Sequence, residues 1–317
     1  MTATSTAGRP RIGLALGSGS ARGWAHIGVI RALAEAGVEP DIVTGTSIGA
    51  LVGALYVHGH LDAMESWVLK LTRRDVFSYM DLGISGGGFM EGRRLMELYR
   101  RAFGDTRIED LPKPFAAVAT NLRTGQEVWL QKGSVIEAVR ASISLPGLFR
   151  PVMVGRNLLV DGGLVNPVPV TVCRALGAQV VIAVNLNGDL VGRHFKLREQ
   201  AAAAAADEPS EAGWFGKLGL PFRSQGDKKP NASAGPGFIE VLASSLNIMQ
   251  DRITRSRMAG DPPDIVISPR LAHFELLDFS RAEEAIREGK NAVRRMLPLI
   301  QDALGLAERD NVAELEG

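Results

Sequence analysis

The sequence predicts an α/β fold built round a mainly parallel sheet, and three observations carry that expectation. Residues 11–16 (RIGLAL) form a short apolar run followed at once by GSGSARG, and a helical period opens at Trp24. The same order returns as an apolar run at 41–43, the turn GTSIG and a small-residue apolar helix at 50–58. Further runs suited to fully buried strands stand at 115–120 (FAAVAT) and 180–184 (VVIAV). Strands buried on both faces by crossover helices read as continuous apolar runs, not as alternating ones.

The elements follow in order. In the first helix Trp24, Ile27, Ile30, Leu33 and Ala34 share one face, and Gly37 stands where a helix terminator belongs. Helices are expected at 93–103, 135–141 and 168–176, and a strand at 127–130. From about 200 to 236 an alanine run gives way to Pro, Ser, Gly, Lys and Asp, a composition that cannot pack a core and reads as an insertion. Beyond it come a helix at 238–258, a strand at 264–267 and a helix at 280–299 with Ser280 as its N-cap. The expected organisation is a short leader (1–10), one domain (11–307) and a polar tail (308–317).

Composition narrows the function. The chain has 317 residues, 45% hydrophobic, enough for a substantial core. Thirty-six Lys and Arg against 35 Asp and Glu leave a net charge of +1, which provides no basic field for nucleic acid. Cys173 is the single cysteine, so no intramolecular disulfide or multi-cysteine metal site forms, and a reducing, cytoplasmic setting is expected. The longest apolar stretch, 48–57, is about half the roughly 20 residues that span a bilayer. Residues 213–222 (GWFGKLGLPF) mix aromatic and basic side chains, which suits either peripheral contact with the inner face of a membrane or docking on the protein itself. The histidines are scattered without ligand spacing, so no metal and no cofactor are expected.

The chemistry centres on Ser47. It lies between Gly45 and Gly49 where a strand passes into a helix, the context of a nucleophile elbow, with the Ile48 N–H at the helix start facing a developing oxyanion. The loop Gly17, Ser18, Gly19, Ser20, Ala21, Arg22, Gly23 supplies further N–H donors and a positive charge. Its rival reading is a dinucleotide-binding turn, with Asp41 as the ribose acid, although Arg22 stands at the sixth position and Gly23 comes one residue late. Asp161 ends a strand and precedes Gly162 and Gly163, a turn that aims its carboxylate along the C-terminal edge of a parallel sheet, beside the first two turns.

Taken together, GSGSARG, GTSIG, ASISLPGLFRPV (141–152) and DGG resemble the patatin-like phospholipase family, and within it the bacterial branch similar to the catalytic domain of neuropathy target esterase. The later DIVISP pattern extends the resemblance over most of the chain. What it implies is a three-layer α/β/α sandwich and a Ser-Asp dyad without histidine. Ser47 would be the nucleophile, Asp161 the base, the glycine loop (Gly17, Gly19, Ser20, Ala21, Arg22, Gly23) with Ile48 the oxyanion hole, and a lipid or lysolipid ester the substrate. The family's loop is commonly GGGxRG; here serines occupy 18 and 20. Two alternatives stand beside it. One is an α/β-hydrolase esterase using Ser47, Asp161 and either His194 or His273. The other is a non-catalytic adaptor on the same fold.

Overall fold

A computed structural model of the chain describes residues 9–79, 96–97, 99–101, 104–189 and 238–306. Most of the leader, the insertion with its 213–222 segment, His194 and the polar tail lie outside the described residues, as does part of the helix expected at 93–103.

Among the described residues eight strands form one mixed sheet. β1 (Ile12–Leu16), β2 (Ile42–Thr46), β3 (Phe115–Asn121), β7 (Val180–Val184) and β8 (Ile265–Ile267) run parallel in the order β3-β2-β1-β7-β8. β4 (Glu127–Leu130), β6 (Asn157–Asp161) and β5 (Val152–Val154) add antiparallel pairs around β3. All residues of β1, β2 and β3 are buried, including the polar Thr44, Thr46, Thr120 and Asn121.

On one face lie α1 (Ala25–Glu35), α2 (Ile48–Val57), α3 (Leu61–Val68), α5 (Val135–Ser142) and α8 (Ala282–Ala303), whose side chains join Ile12, Leu14 and Leu16 in the main core. α4 (Arg73–Tyr79) borders the pocket described below. The other face carries α6 (Val170–Ala175), packed on Ala15, Val181 and Ala183. Alternation along β1 thus puts large residues toward one layer and small ones toward the other. A 23-residue helix, α7 (Phe238–Gly260), reaches the C-terminal ends of the parallel strands through Ser18 and Asn187. This is the three-layer α/β/α sandwich that the motifs implied, with a mostly parallel sheet.

Several expectations change in detail. β2 continues to Thr46, so Gly45 belongs to the strand and the turn begins at Ser47 itself. The last long helix starts at Ala282, not at a Ser280 cap. Arg281 stands at the N-cap without a side-chain capping bond, and its guanidinium donates to Glu284 Oε2 at 2.7 Å and Asp278 Oδ2 at 3.3 Å. α3, α4 and β5 were not foreseen. Asp41, the rival's ribose acid, sits before β2 at the opposite end from the glycine loop, where it accepts from Ile12 N–H and pairs with Arg9.

α1 and α8 cross in close contact through reciprocal glycines. A Cβ on Gly28 would stand 1.9 Å from the Ile286 carbonyl oxygen, and one on Gly289 would stand 2.1 Å from that of Ala25. Gly28→Ala must therefore push two helix backbones apart. The expected loss is roughly 1–3 kcal/mol of folding stability, measured by urea denaturation, and an unchanged midpoint would show that the crossing gives way freely.

Candidate active site

The site is made by a topological coincidence at β3. A strand has two edges, and β4 occupies one of them along residues 117–120. β2 takes the other edge from Phe115 to Val118, and β6 takes the same edge from Ala119 to Asn121, running the opposite way. The two strands therefore meet C-terminus to C-terminus, Thr46 opposite Val118 and Asp161 opposite Ala119. The expectation that Asp161 arrives on a parallel strand is corrected here. An antiparallel strand brings it, and that direction is what turns it toward Ser47.

Ser47 follows β2 at φ 57° and ψ −125°, a left-handed conformation that costs a non-glycine residue about 1–3 kcal/mol. The space for it is made by glycines: a Cβ on Gly45 would lie 2.5 Å from the Ala50 backbone, and one on Gly49 would lie 2.2 Å from the Leu16 carbonyl. The strained peptide is pinned by Ser142, whose Oγ accepts from Ser47 N–H at 2.9 Å and donates to Val118 O at 2.6 Å. Sequence reasoning quoted the segment containing Ser142 but assigned it no role; only its contact with Ser47, 95 residues away, reveals one.

Ser47 Oγ donates to Asp161 Oδ2 at 2.6 Å. The carboxylate's other oxygen accepts from Gly163 N–H at 2.7 Å. Its main chain is held by Ser144 O and by Thr120 Oγ1. Asp161 is 1% exposed, and burial raises its pKa to about 6 despite the two hydrogen bonds that favour the anion.

The glycine loop lies beside Ser47, and its hydrogen bonding narrows the expected set of oxyanion donors. Gly17, Ala21 and Arg22 turn their N–H groups to Val184 O, Leu276 O and Gly19 O. The Arg22 side chain is buried and donates to Asn187 and Asn247, so it is committed away from Ser47, contrary to expectation. Gly23 lies inside the 3-10 turn Ser20–Trp24. The N–H groups of Gly19, Ser20 and Ile48 have no hydrogen-bond partner among the described residues. Ser20 takes φ 49°, like Ser47 a positive φ at a non-glycine residue, and lines the same pocket as Ser47 and Ile48.

That pocket is apolar, about 110 Å³, walled by Trp24, Leu51, Trp67, Leu148, Phe149 and Phe279 around Ser47. The described histidines are engaged elsewhere. His26 is buried with Nε2 on Gly17 O, His58 Nε2 meets Thr106, His60 packs edge-on against His58, and His273 pairs with Glu284. Among the described residues no helix is long and apolar enough to cross a membrane.

Comparison with known proteins gives the chain a family. The patatin-like phospholipase family model matches residues 14–174. An "Uncharacterized NTE family protein" of Mycobacterium tuberculosis is 34% identical over 325 residues, covering 89% of each chain. A second NTE family protein of that organism is 41% identical over 302 residues, 90% of this chain and 46% of the other. The Lysophospholipase NTE1 of Coccidioides immitis is 29% identical over 309 residues, 96% of this chain and 18% of the other. Among solved structures, VipD from Legionella pneumophila superposes with a TM-score of 0.44 at 13% identity, over 92% of this chain and 67% of that one. The protein is accordingly a hydrolase of the phospholipase and esterase kind. More narrowly, the chain belongs to the patatin-like phospholipase family, among its NTE family proteins.

A carboxylate with a raised pKa destabilises the fold once it ionises. Below about pH 4 Asp161 is protonated in both folded and unfolded chains; as pH rises toward 6 the unfolded chain releases a proton that the folded one retains, and stability falls. Asp161→Asn removes the charge at nearly constant shape. It should gain on the order of 3 kcal/mol over the wild type at pH 8 and nothing below pH 4, and equal melting curves at pH 8 would contradict the buried-charge account.

Proposed function

We propose that the protein is a serine acyl hydrolase that cleaves fatty-acyl esters of phospholipids or lysophospholipids through a Ser47–Asp161 dyad. The observation that carries the reading is the 2.6 Å hydrogen bond from Ser47 Oγ to the buried Asp161, made beside an apolar pocket. The lipid class is supported by the family match and by the NTE1 lysophospholipases among the relatives.

In this reading the ester's acyl chain enters the pocket and its carbonyl carbon meets Ser47 Oγ. Asp161 takes the hydroxyl proton as the oxygen attacks, and the N–H groups of Gly19, Ser20 and Ile48 receive the oxyanion. Asp161 returns the proton to the leaving alcohol. Water, deprotonated by the same carboxylate, then releases the fatty acid and regenerates Ser47. A carboxylate held near pH 6 suits the work, since it is ionised at neutral pH yet more basic than an exposed aspartate. Ser142 keeps the nucleophile's backbone at its strained angle throughout.

The test is labelling by a fluorophosphonate with turnover of p-nitrophenyl esters. Ser47→Ala should abolish both, Asp161→Asn should lower kcat by at least about 10³-fold, and His273→Ala should leave kcat within about twofold. Loss of turnover in His273→Ala would favour the Ser-Asp-His triad, and a folded wild type that neither labels nor turns over would favour the adaptor reading. The acid limb of kcat/KM should fall near pH 6, because activity requires the ionised carboxylate.

The pocket makes a separate prediction. Leu148→Trp, on the half-buried pocket wall, should lower kcat/KM for an octanoyl ester by about tenfold or more while acetyl ester turnover changes little. Equal losses on both esters would remove the pocket from acyl recognition.

A further inference from the structure

Gln250 lies on α7, outside the 14–174 stretch that defines the family, and is 6% exposed. Its Oε1 accepts from Ser18 Oγ at 2.9 Å and from Asn187 Nδ2 at 2.8 Å. Its Nε2 lies over the turn after Asp161, so close that a Cβ on Gly163 would stand 2.5 Å from it. Gly163 N–H in turn holds Asp161 Oδ1. One side chain thus touches the glycine loop beside Gly19 and the turn that orients the carboxylate.

The direction of every amide in this cluster follows from Arg22. A guanidinium only donates, so the Asn187 group facing it must be the carbonyl, with Nη2 to Oδ1 at 3.1 Å. Asn187 then turns its NH₂ toward Gln250, which must answer with its oxygen, and the Gln250 NH₂ is left facing Gly163. Arg22 also donates to Asn247, one turn before Gln250 on α7. The buried charge thereby fixes the polarity of a chain of hydrogen bonds that ends beside Asp161.

We propose that Gln250 is a positioning residue for ester hydrolysis, bracing the glycine loop and the Asp161 turn against one another from α7. The role rests on the reading that Ser47 and Asp161 do the chemistry and that the Gly19 and Ser20 N–H groups receive the oxyanion. Ser18 precedes those donors, and its own N–H is fixed on Pro167 O, so its side-chain anchor sets where the next peptide points. A displacement of about 1 Å at such donors is enough to lower the rate roughly 100-fold. Gln250 does not line the acyl pocket, so its loss acts on the chemical step and not on substrate capture.

The experiment is a double-mutant cycle on the full chain with p-nitrophenyl butyrate, using Gln250→Leu, Ser18→Ala and the pair, with Ser47→Ala as reference and circular dichroism to establish folding. Gln250→Leu should lower kcat and the fluorophosphonate labelling rate in parallel by roughly 10- to 100-fold, with KM within about twofold. Ser18→Ala should lower kcat less, and the double variant should fall no further than Gln250→Leu, since the bond both would remove is already gone. Wild-type kcat in both folded single variants, a change confined to KM, or losses that multiply in the double variant would each overturn the proposal. Should Gln250→Leu not fold, Ser18→Ala decides alone by the same kcat and KM criteria. Turnover surviving in Ser47→Ala would overturn the dyad reading and this role with it; an inactive Ser47→Ala beside fully active Gln250→Leu and Ser18→Ala would overturn the bracing alone.

Discussion

The geometry of the site depends on one edge of one strand. β3 accepts β2 along the first part of that edge and β6 along the rest, in opposite directions, and the two strands stop at neighbouring rungs. Ser47 and Asp161 are the residues at which they stop. The ladder holds each strand at discrete rungs, and in a sheet buried on both faces a slip of one residue would send every side chain to the other face. The ladder thus supplies the precision that the 2.6 Å hydrogen bond expresses. Ser142 and Ser144, from the end of α5 and just beyond it, reinforce the junction: one takes the N–H of Ser47, and the other takes that of Asp161.

Two charges near the site, one in the glycine loop and one at the end of β6, are buried without an ionic partner at hydrogen-bonding distance among the described residues, and they are handled differently. Arg22 is 1% exposed and meets only amide oxygens, so burial lowers its pKa to about 10, still well above neutrality. It remains a cation and orders the amides round it. Asp161 has Ser47 and Gly163 as donors, and burial brings its titration close to neutral pH. The two burials thus leave one charge fixed at neutral pH and bring the other close to changing.

What was legible in the sequence divides along the range of the interactions concerned. The bounds of β4 and β7 agree with the expected 127–130 and 180–184 because they depend on runs of four or five residues. Ser47 between Gly45 and Gly49, and Asp161 before Gly162 and Gly163, could be singled out because a sharp turn leaves a local composition. The antiparallel course of β6 left none, since direction is a property of pairing and Asp161 is brought to Ser47 across 114 residues. The same limit hid the partner of Ser18, 232 residues away, and the commitment of the Arg22 side chain to Asn187 and Asn247. At Ser280 a good capping residue is passed over: the helix starts at Ala282, and Arg281 at the N-cap has its guanidinium drawn to Glu284 and Asp278.

The meeting of β2 and β6 also bears on when the chain becomes reactive. A pairing so distant in sequence forms only after β3 has been laid down as a template, and nonlocal strand pairing is the slow part of assembling a sheet. Until β6 docks, Ser47 is an ordinary alcohol with no carboxylate beside it. A half-assembled chain therefore carries the serine without the carboxylate that accepts its hydrogen bond, and the two are joined only as one of the later consequences of folding.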